Sequence, residues 1–137
     1  MANKRGTAEV SDIAYKKLPV AKARAAYRRY GNKIRVSRSD YEIIICDHLF
    51  YHGRECEGLC DSTNKIIYVT LDEKDLENMD ATFVHEFLHA AMSESTVTLL
   101  MNWDSTMEEV MVESLSRDLL AGFELKRRKK TTKSGKM

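Results

Sequence analysis

Asp80-Ala81-Thr82-Phe83-Val84-His85-Glu86-Phe87-Leu88-His89-Ala90-Ala91 is the stretch on which the reading of this chain turns. Phe83, Val84, Phe87, Leu88 and Ala91 recur at the spacing of one helical face, so the stretch reads as an amphipathic helix, capped by Asp80 and running to about Ser95. Residues four apart on a helix lie over one another, so His85 and His89 direct two imidazoles to one place, with Glu86 beside them.

Two imidazoles at that spacing can share one metal ion. A carboxylate one position after the first can hold a water against the ion without ligating it. The pattern is the H-E-x-x-H arrangement of zinc peptidases, with His85 and His89 as ligands, Glu86 as general base and Zn2+ as the expected cofactor. A catalytic zinc takes three protein ligands and keeps one position open. The third ligand is sought upstream in His48 or His52, or downstream in Glu108, Glu109 or Glu113. Glu109 and Glu113 are four apart and can both face the metal helix, one ligating and the other accepting the second ring N–H of a histidine. Glu108 is read as a capping residue.

Working outward, Tyr41 to Cys46 reads as a buried strand, and Glu55 to Cys60 with Lys65 to Thr70 as a β-hairpin around the turn formers Asp61-Ser62-Thr63-Asn64. Cys56 and Cys60 are expected to be buried thiols on the same side of the first hairpin strand. Asp72 to Asn78 is an acidic connection. After the metal helix a second long helix starts at Ser105 or Thr106, with a capping box to Glu108 or Glu109, and buries Val112, Leu115, Leu119 and Phe123. Nearer the N-terminus, Ser11 and Asp12 cap a short turn. Pro19 opens a basic helix that Gly31 stops. The fold class is α+β.

The 137 residues fit one domain, and their charge is unevenly spread. Residues 1–39 carry 11 Lys/Arg against Glu9 and Asp12, a balance of +9, and residues 126–137 carry 7 Lys/Arg and no acid. Residues 40–125 hold the remaining 4 bases and 19 acids, a balance of −15. The expected organisation is a basic N-terminal extension with a helix over 1–39, a catalytic body over 40–125 and a basic, disordered tail over 126–137. No apolar stretch is long enough for a signal peptide or a membrane span, so a cytoplasmic protein with free Cys46, Cys56 and Cys60 is expected. His48, His52, Cys56 and Cys60 recur every four residues and are weighed as a second zinc set, against which Gly53 and Gly58 break any continuous helix.

His85-Glu86-Phe87-Leu88-His89 followed by Glu109-Val110-Met111-Val112-Glu113-Ser114-Leu115-Ser116 resembles the gluzincin arrangement, and most closely the ImmA/IrrE-like metallopeptidases in their short bacteriophage form. The likeness spans about residues 41–123 and takes in the hairpin Gly58-Leu59-Cys60-Asp61 through Ile66-Ile67-Tyr68-Val69. It implies a zincin-like fold: a small antiparallel sheet of about three strands packed on the metal helix and a glutamate-bearing helix. It also implies Glu109 as the third ligand and Glu113 as the residue that supports a histidine. Glu113 stands where the family has Asn or Asp, so the two glutamates can exchange roles. The substrate it implies is a protein or peptide, such as a transcriptional regulator, in the cytoplasm of a host cell if the gene is phage-borne.

The implied reaction is hydrolysis of a peptide bond, with Tyr51, Tyr68 and His52 as candidate donors to the oxyanion and an extended peptide paired to the sheet edge. A rival reading makes the chain a nucleic-acid- or protein-binding module with a structural or vestigial metal site, motivated by the basic ends. A third makes it a small regulator that binds a partner without turnover.

Overall fold

Ile43-Ile44-Ile45-Cys46 and Ile66-Ile67-Tyr68-Val69 are unbroken apolar runs, which suit strands covered on both faces. In the computed structural model, which describes residues 12–95 and 104–126, they are neighbours in one sheet. The strands are β1 (Ile13–Lys17), β2 (Lys33–Val36), β3 (Ser39–Tyr51), β4 (Arg54–Glu55), β5 (Gly58–Asp61) and β6 (Ile66–Thr70). The described helices are α1 (Arg24–Tyr30), α2 (Leu76–Ser93) and α3 (Ser105–Gly122). The fold is α+β.

Among the described residues the sheet has six strands and is mixed, not a three-stranded antiparallel one. Its main path runs β1-β3-β6-β5, with β2 and β4 also paired to β3. β3 and β6 are parallel, Ile43 beside Ile67 and Ile45 beside Val69. The chain returns to the start of β3 through β4 and β5, and that excursion permits the parallel pairing. The remaining pairs are antiparallel.

β3 is also longer than the strand read from Tyr41 to Cys46. Against β1 its register jumps from Lys16↔His48 to Lys17↔Cys46, leaving Asp47 as a bulged residue. The bulge flips side-chain parity, so Leu49 joins Ile44 and Cys46 on one face, opposite Ile43 and Ile45.

Two cores follow. Ile43, Ile45, Ile67 and Val69 pack with Met79, Phe83 and Ala90 of α2 and with Ala26 and Tyr30 of α1. Ile13, Ile44, Cys46, Leu49 and Tyr68 form a smaller cluster on the other face. Residues 13–17, expected to lie in a short helical turn capped by Ser11 and Asp12, form the strand β1, because their backbone pairs with β3. Ser11 lies outside the described residues, as do residues 127–137 of the basic tail. The boundary expected at residue 39/40 falls inside the β2–β3 hairpin, where Val36 pairs with Ser39. α1 starts at Arg24 and not at Pro19, whose carbonyl instead accepts from the amides of Lys22 and Ala23 in a preceding turn. Gly31 ends α1 as expected, with φ of 82°.

α2 begins a turn before the expected cap. Asp75 caps it, accepting from the Asn78 amide at 3.0 Å. Asp80 is therefore an interior residue, buried under α1. Its carboxylate accepts from Arg29 Nε at 2.7 Å, Arg29 Nη2 at 2.6 Å and the Tyr30 hydroxyl at 2.7 Å. Tyr30 also stacks on Phe83 with ring centroids 4.6 Å apart. At the far end, Glu94 accepts from Ser39 Oγ, Tyr41 Oη and Lys65 Nζ at 2.9, 2.9 and 2.6 Å. Both ends of α2 are thus tied to the body, and the motif sits between the ties.

Burial acts to raise the Asp80 carboxyl, but the Arg29 and Tyr30 hydrogen bonds and the Arg29 charge outweigh it and hold the carboxyl below its usual value. A lowered folded pKa gives stability that is present above the unfolded value, about 3.9, and lost as pH falls through the folded one. Arg29 keeps about a third of its side chain in solvent, which moderates the pair. Asp80→Asn is expected to cost about 2 kcal/mol in urea unfolding at pH 7. The gap from wild type should begin to narrow as pH falls below about 4 and close below the folded value, and an undiminished gap at pH 3 would place the effect elsewhere than in the carboxylate.

α3 is capped by Asp104, whose side chain accepts from the Met107 amide at 2.8 Å. Ser105 and Thr106 do not cap it, which leaves Glu108 and Glu109 free of a capping box. Its buried residues are Val112 and Ser116. Leu115 and Leu119 remain 40% exposed and Phe123 72% exposed. Val112 is buried as expected, but beside it the face turned to α2 carries carboxylates where Leu115, Leu119 and Phe123 were expected.

Candidate metal centre

α2 and α3 meet with the imidazoles of one helix among the carboxylates of the other. His85 Nε2 lies 3.0 Å from Glu109 Oε2, and His89 Nε2 lies 3.0 Å from Glu109 Oε1. The opposite ring nitrogens have their own acids: His89 Nδ1 is 2.6 Å from Glu108 and His85 Nδ1 is 3.3 Å from Glu113. The two rings stand 5.0 Å apart at 62°. One donor atom from each of His85, His89 and Glu109 falls within 4.8 Å of the others, so this group could hold a metal ion.

The donor chemistry provides a test of fit. A neutral imidazole has one N–H. With the His89 Nδ1 proton donated to Glu108 and the His85 Nδ1 proton turned towards Glu113, each Nε2 presents a lone pair to a carboxylate oxygen 3.0 Å away. Facing acceptors repel unless the rings are protonated or a cation lies between them. Glu86, Glu108, Glu109 and Glu113 add negative charge around two histidines, which also favours a cation. Around a tetrahedral zinc at ordinary bond lengths, ligand atoms sit about 3.3 Å apart, which small side-chain adjustments of this group reach. The residues present could hold a metal ion.

Glu86 follows His85 on α2 and turns into a cleft of about 1010 Å³ whose wall also includes His85 and Glu113. Desolvation is the largest influence on its carboxyl; the His89 charge opposes it, the Glu109 charge adds to it, and the result is a value pushed up to about 7. A bound cation acts in the opposite direction. His89 is itself raised: burial works against its charged form, but the Glu108 hydrogen bond and the charges of Glu86, Glu109 and Glu108 prevail.

Two participants escaped the reading of the sequence. Glu108, weighed among the third-ligand candidates and read as the capping residue, instead meets His89 at Nδ1, a contact that was not expected of it; only the position of Asp104 one residue before Ser105 hinted at that. Gly58 lies under α2, where an added Cβ would stand 2.5 Å from Thr82 Cγ2 and 3.0 Å from Glu86 Cγ. β5 approaches the general-base candidate closely because residue 58 has no side chain. Gly58→Ala is expected to cost about 1–3 kcal/mol by overpacking, and to displace the Glu86 side chain. Thermal unfolding with zinc binding measured alongside checks it; unchanged stability would mean that Thr82 moves aside freely.

Other expected site residues are elsewhere. Tyr51 and Tyr68 pack in the cluster on the face of the sheet away from α2, so neither reaches the histidines. His52 occupies the β3–β4 turn at φ of 53°, with Nδ1 3.5 Å from Asp12. His48 lies beside Asp47 and Glu55, 3.8 Å from each. Cys60 packs with the α2 core while Cys56 packs with the opposite cluster, so the two thiols do not share a side. Cys56 precedes β5 and escapes the strand's alternation. Among the described residues, the four do not assemble as a metal-binding group.

No family model, curated protein or solved structure matches the chain. Among the described residues, no helix is long and apolar enough to cross a membrane.

Proposed function

We propose that the chain is a zinc-dependent peptidase in which His85, His89 and Glu109 hold the metal and Glu86 is the general base. One observation carries the reading: both Nε2 atoms converge on the Glu109 carboxylate while both Nδ1 atoms are held by further carboxylates. The H-E-x-x-H spacing and the resemblance to the ImmA/IrrE-like metallopeptidases support it.

A zinc ion in this position supplies Lewis acidity, polarising the scissile carbonyl and easing the loss of a proton from water. Glu86 accepts that proton on a carboxyl oxygen as the water oxygen bonds to the carbonyl carbon. It then delivers the proton to the amide nitrogen as the C–N bond breaks, so the products are an acid and an amine. Glu108 fixes the ring orientation of His89 by accepting from Nδ1, and Glu113 stands 3.3 Å from His85 Nδ1, placed to do the same for that ring. The ties at Asp80 and Glu94 hold α2 steady, which limits the reorganisation of Glu86 between steps. Peptide could lie in the cleft beside Gly58, extending from the edge of β5 that no other described strand pairs.

The experiment is metal analysis combined with hydrolysis of an unfolded protein. The full chain is expected to retain one zinc, to lose hydrolysis on dialysis against a chelator and to recover it with added zinc. Hydrolysis indifferent to the chelator would defeat the proposal.

A further inference from the structure

The wall of the cleft beside the histidines carries six carboxylates and two guanidiniums. Both guanidiniums have acidic neighbours within the cleft: Arg29 is bonded to Asp80, and Arg117 lies 3.5 Å from Glu113. Glu57, Glu77 and Glu124 have no cationic partner among the described residues; Glu57 only receives the neutral amide of Asn78 at 3.3 Å. The Glu86 carboxyl, deep in the cleft, makes no hydrogen bond or ion-pair contact among the described residues and feels the nearby charges of His89 and Glu109. A second hollow of about 420 Å³ adjoins the cleft and shares Glu57, Asn78 and Thr82 with it. Its wall adds Asp47, Glu55 and Asp72 and contains no lysine or arginine.

The charge is spread along the two hollows. These carboxylates do not gather at ligand distance as His85, His89 and Glu109 do, so a second small cation finds no chelating set among them. A phosphate backbone would be repelled. The ligand that suits dispersed negative charge along a groove is an extended chain bearing several separate cations. We infer that the cleft and its neighbouring hollow select lysine- and arginine-rich peptide segments, held by Glu57, Glu77 and Glu124. That such a segment is also the substrate rests on the peptidase reading; the binding preference does not.

The test uses the full chain carrying Glu86→Gln, to prevent turnover, and three labelled peptides of equal length: one rich in Lys and Arg, one in Ser and Asn, one in Asp and Glu. Fluorescence anisotropy should show the basic peptide bound about tenfold or more tighter than the neutral one, and the acidic peptide weakest. The preference should shrink in high salt. It should fall about tenfold in Glu57→Gln/Glu77→Gln/Glu124→Gln, whose zinc content stays that of the parent. Equal binding of the three peptides, or a triple variant with its preference intact, would overturn the inference. The same peptides offered to the chain with Glu86 restored separate the two claims. Cleavage without preference removes the basic-segment inference and leaves the peptidase; preferential binding with no cleavage of any peptide removes the peptidase and leaves the inference.

Discussion

Glu86→Gln should leave one zinc bound and reduce hydrolysis by about 10²–10⁴-fold. The substitution preserves volume and removes only the ability to take and return a proton. Glu86 lies on α2 next to a ligand candidate, yet it is Glu109 whose oxygens stand 3.0 Å from both histidines. Zinc content should therefore be indifferent to residue 86 while the rate is not. Removing the carboxylate's charge also relieves the burial that pushes its proton affinity up, so the variant should be no less stable than wild type. Both quantities are read on one preparation, metal by mass spectrometry and rate on an unfolded substrate. A variant that hydrolyses as fast as wild type would remove Glu86 from the mechanism, and one that loses zinc would make it a ligand.

The three glutamates of α3 should separate by affinity. On the proposed ligand set, Glu109→Ala deletes a ligand. With structural zinc sites worth roughly 10–16 kcal/mol over four ligands, one ligand corresponds to a loss of about 10²–10³-fold or more in zinc affinity. Glu108→Ala and Glu113→Ala remove carboxylates that touch the histidines on the far nitrogen, and about 10–100-fold is expected. Glu108 should lie at the upper end of that range. Its contact is 2.6 Å and it is 26% exposed, whereas Glu113 stands 3.3 Å from His85 and is 56% exposed, so solvent screens it more. Competition against a chromogenic chelator measures all three. If Glu113→Ala loses more than Glu109→Ala, the two have exchanged roles and the ligand set is wrong.

The face of α3 that carries these residues also explains an exposed apolar stripe. A helix has one packing face, and here it is centred on Val112 and Ser116, with Glu109 and Glu113 at its border. Turning that face to α2 carries Leu115 and Leu119 outward. Of the expected apolar stripe only Val112 packs inward, and the carboxylates meet α2 where Leu115 and Leu119 were expected.

What the sequence alone determined lies within a turn or a strand of chain. His85, Glu86 and His89 share a helical face because of their spacing, and the helix, the β5–β6 hairpin, the stop at Gly31 and the burial of Ile43 to Ile45 follow from periodicity and local backbone preference. Only the tertiary structure decided the parallel pairing of β3 with β6, the choice of Asp75 over Asp80 and of Asp104 over Ser105 as caps, the approach of Gly58 to Glu86, and the assignment of Glu108 to His89. Each of these compares neighbouring candidates of nearly equal local merit. Asp80 could have capped α2, but burial beside Arg29 and Tyr30 gives its carboxylate three donors, and contacts about fifty residues apart in sequence decide between the two positions. Which glutamate faces which imidazole depends likewise on the rotation of α3 about its own axis, and packing across the helix pair sets that angle.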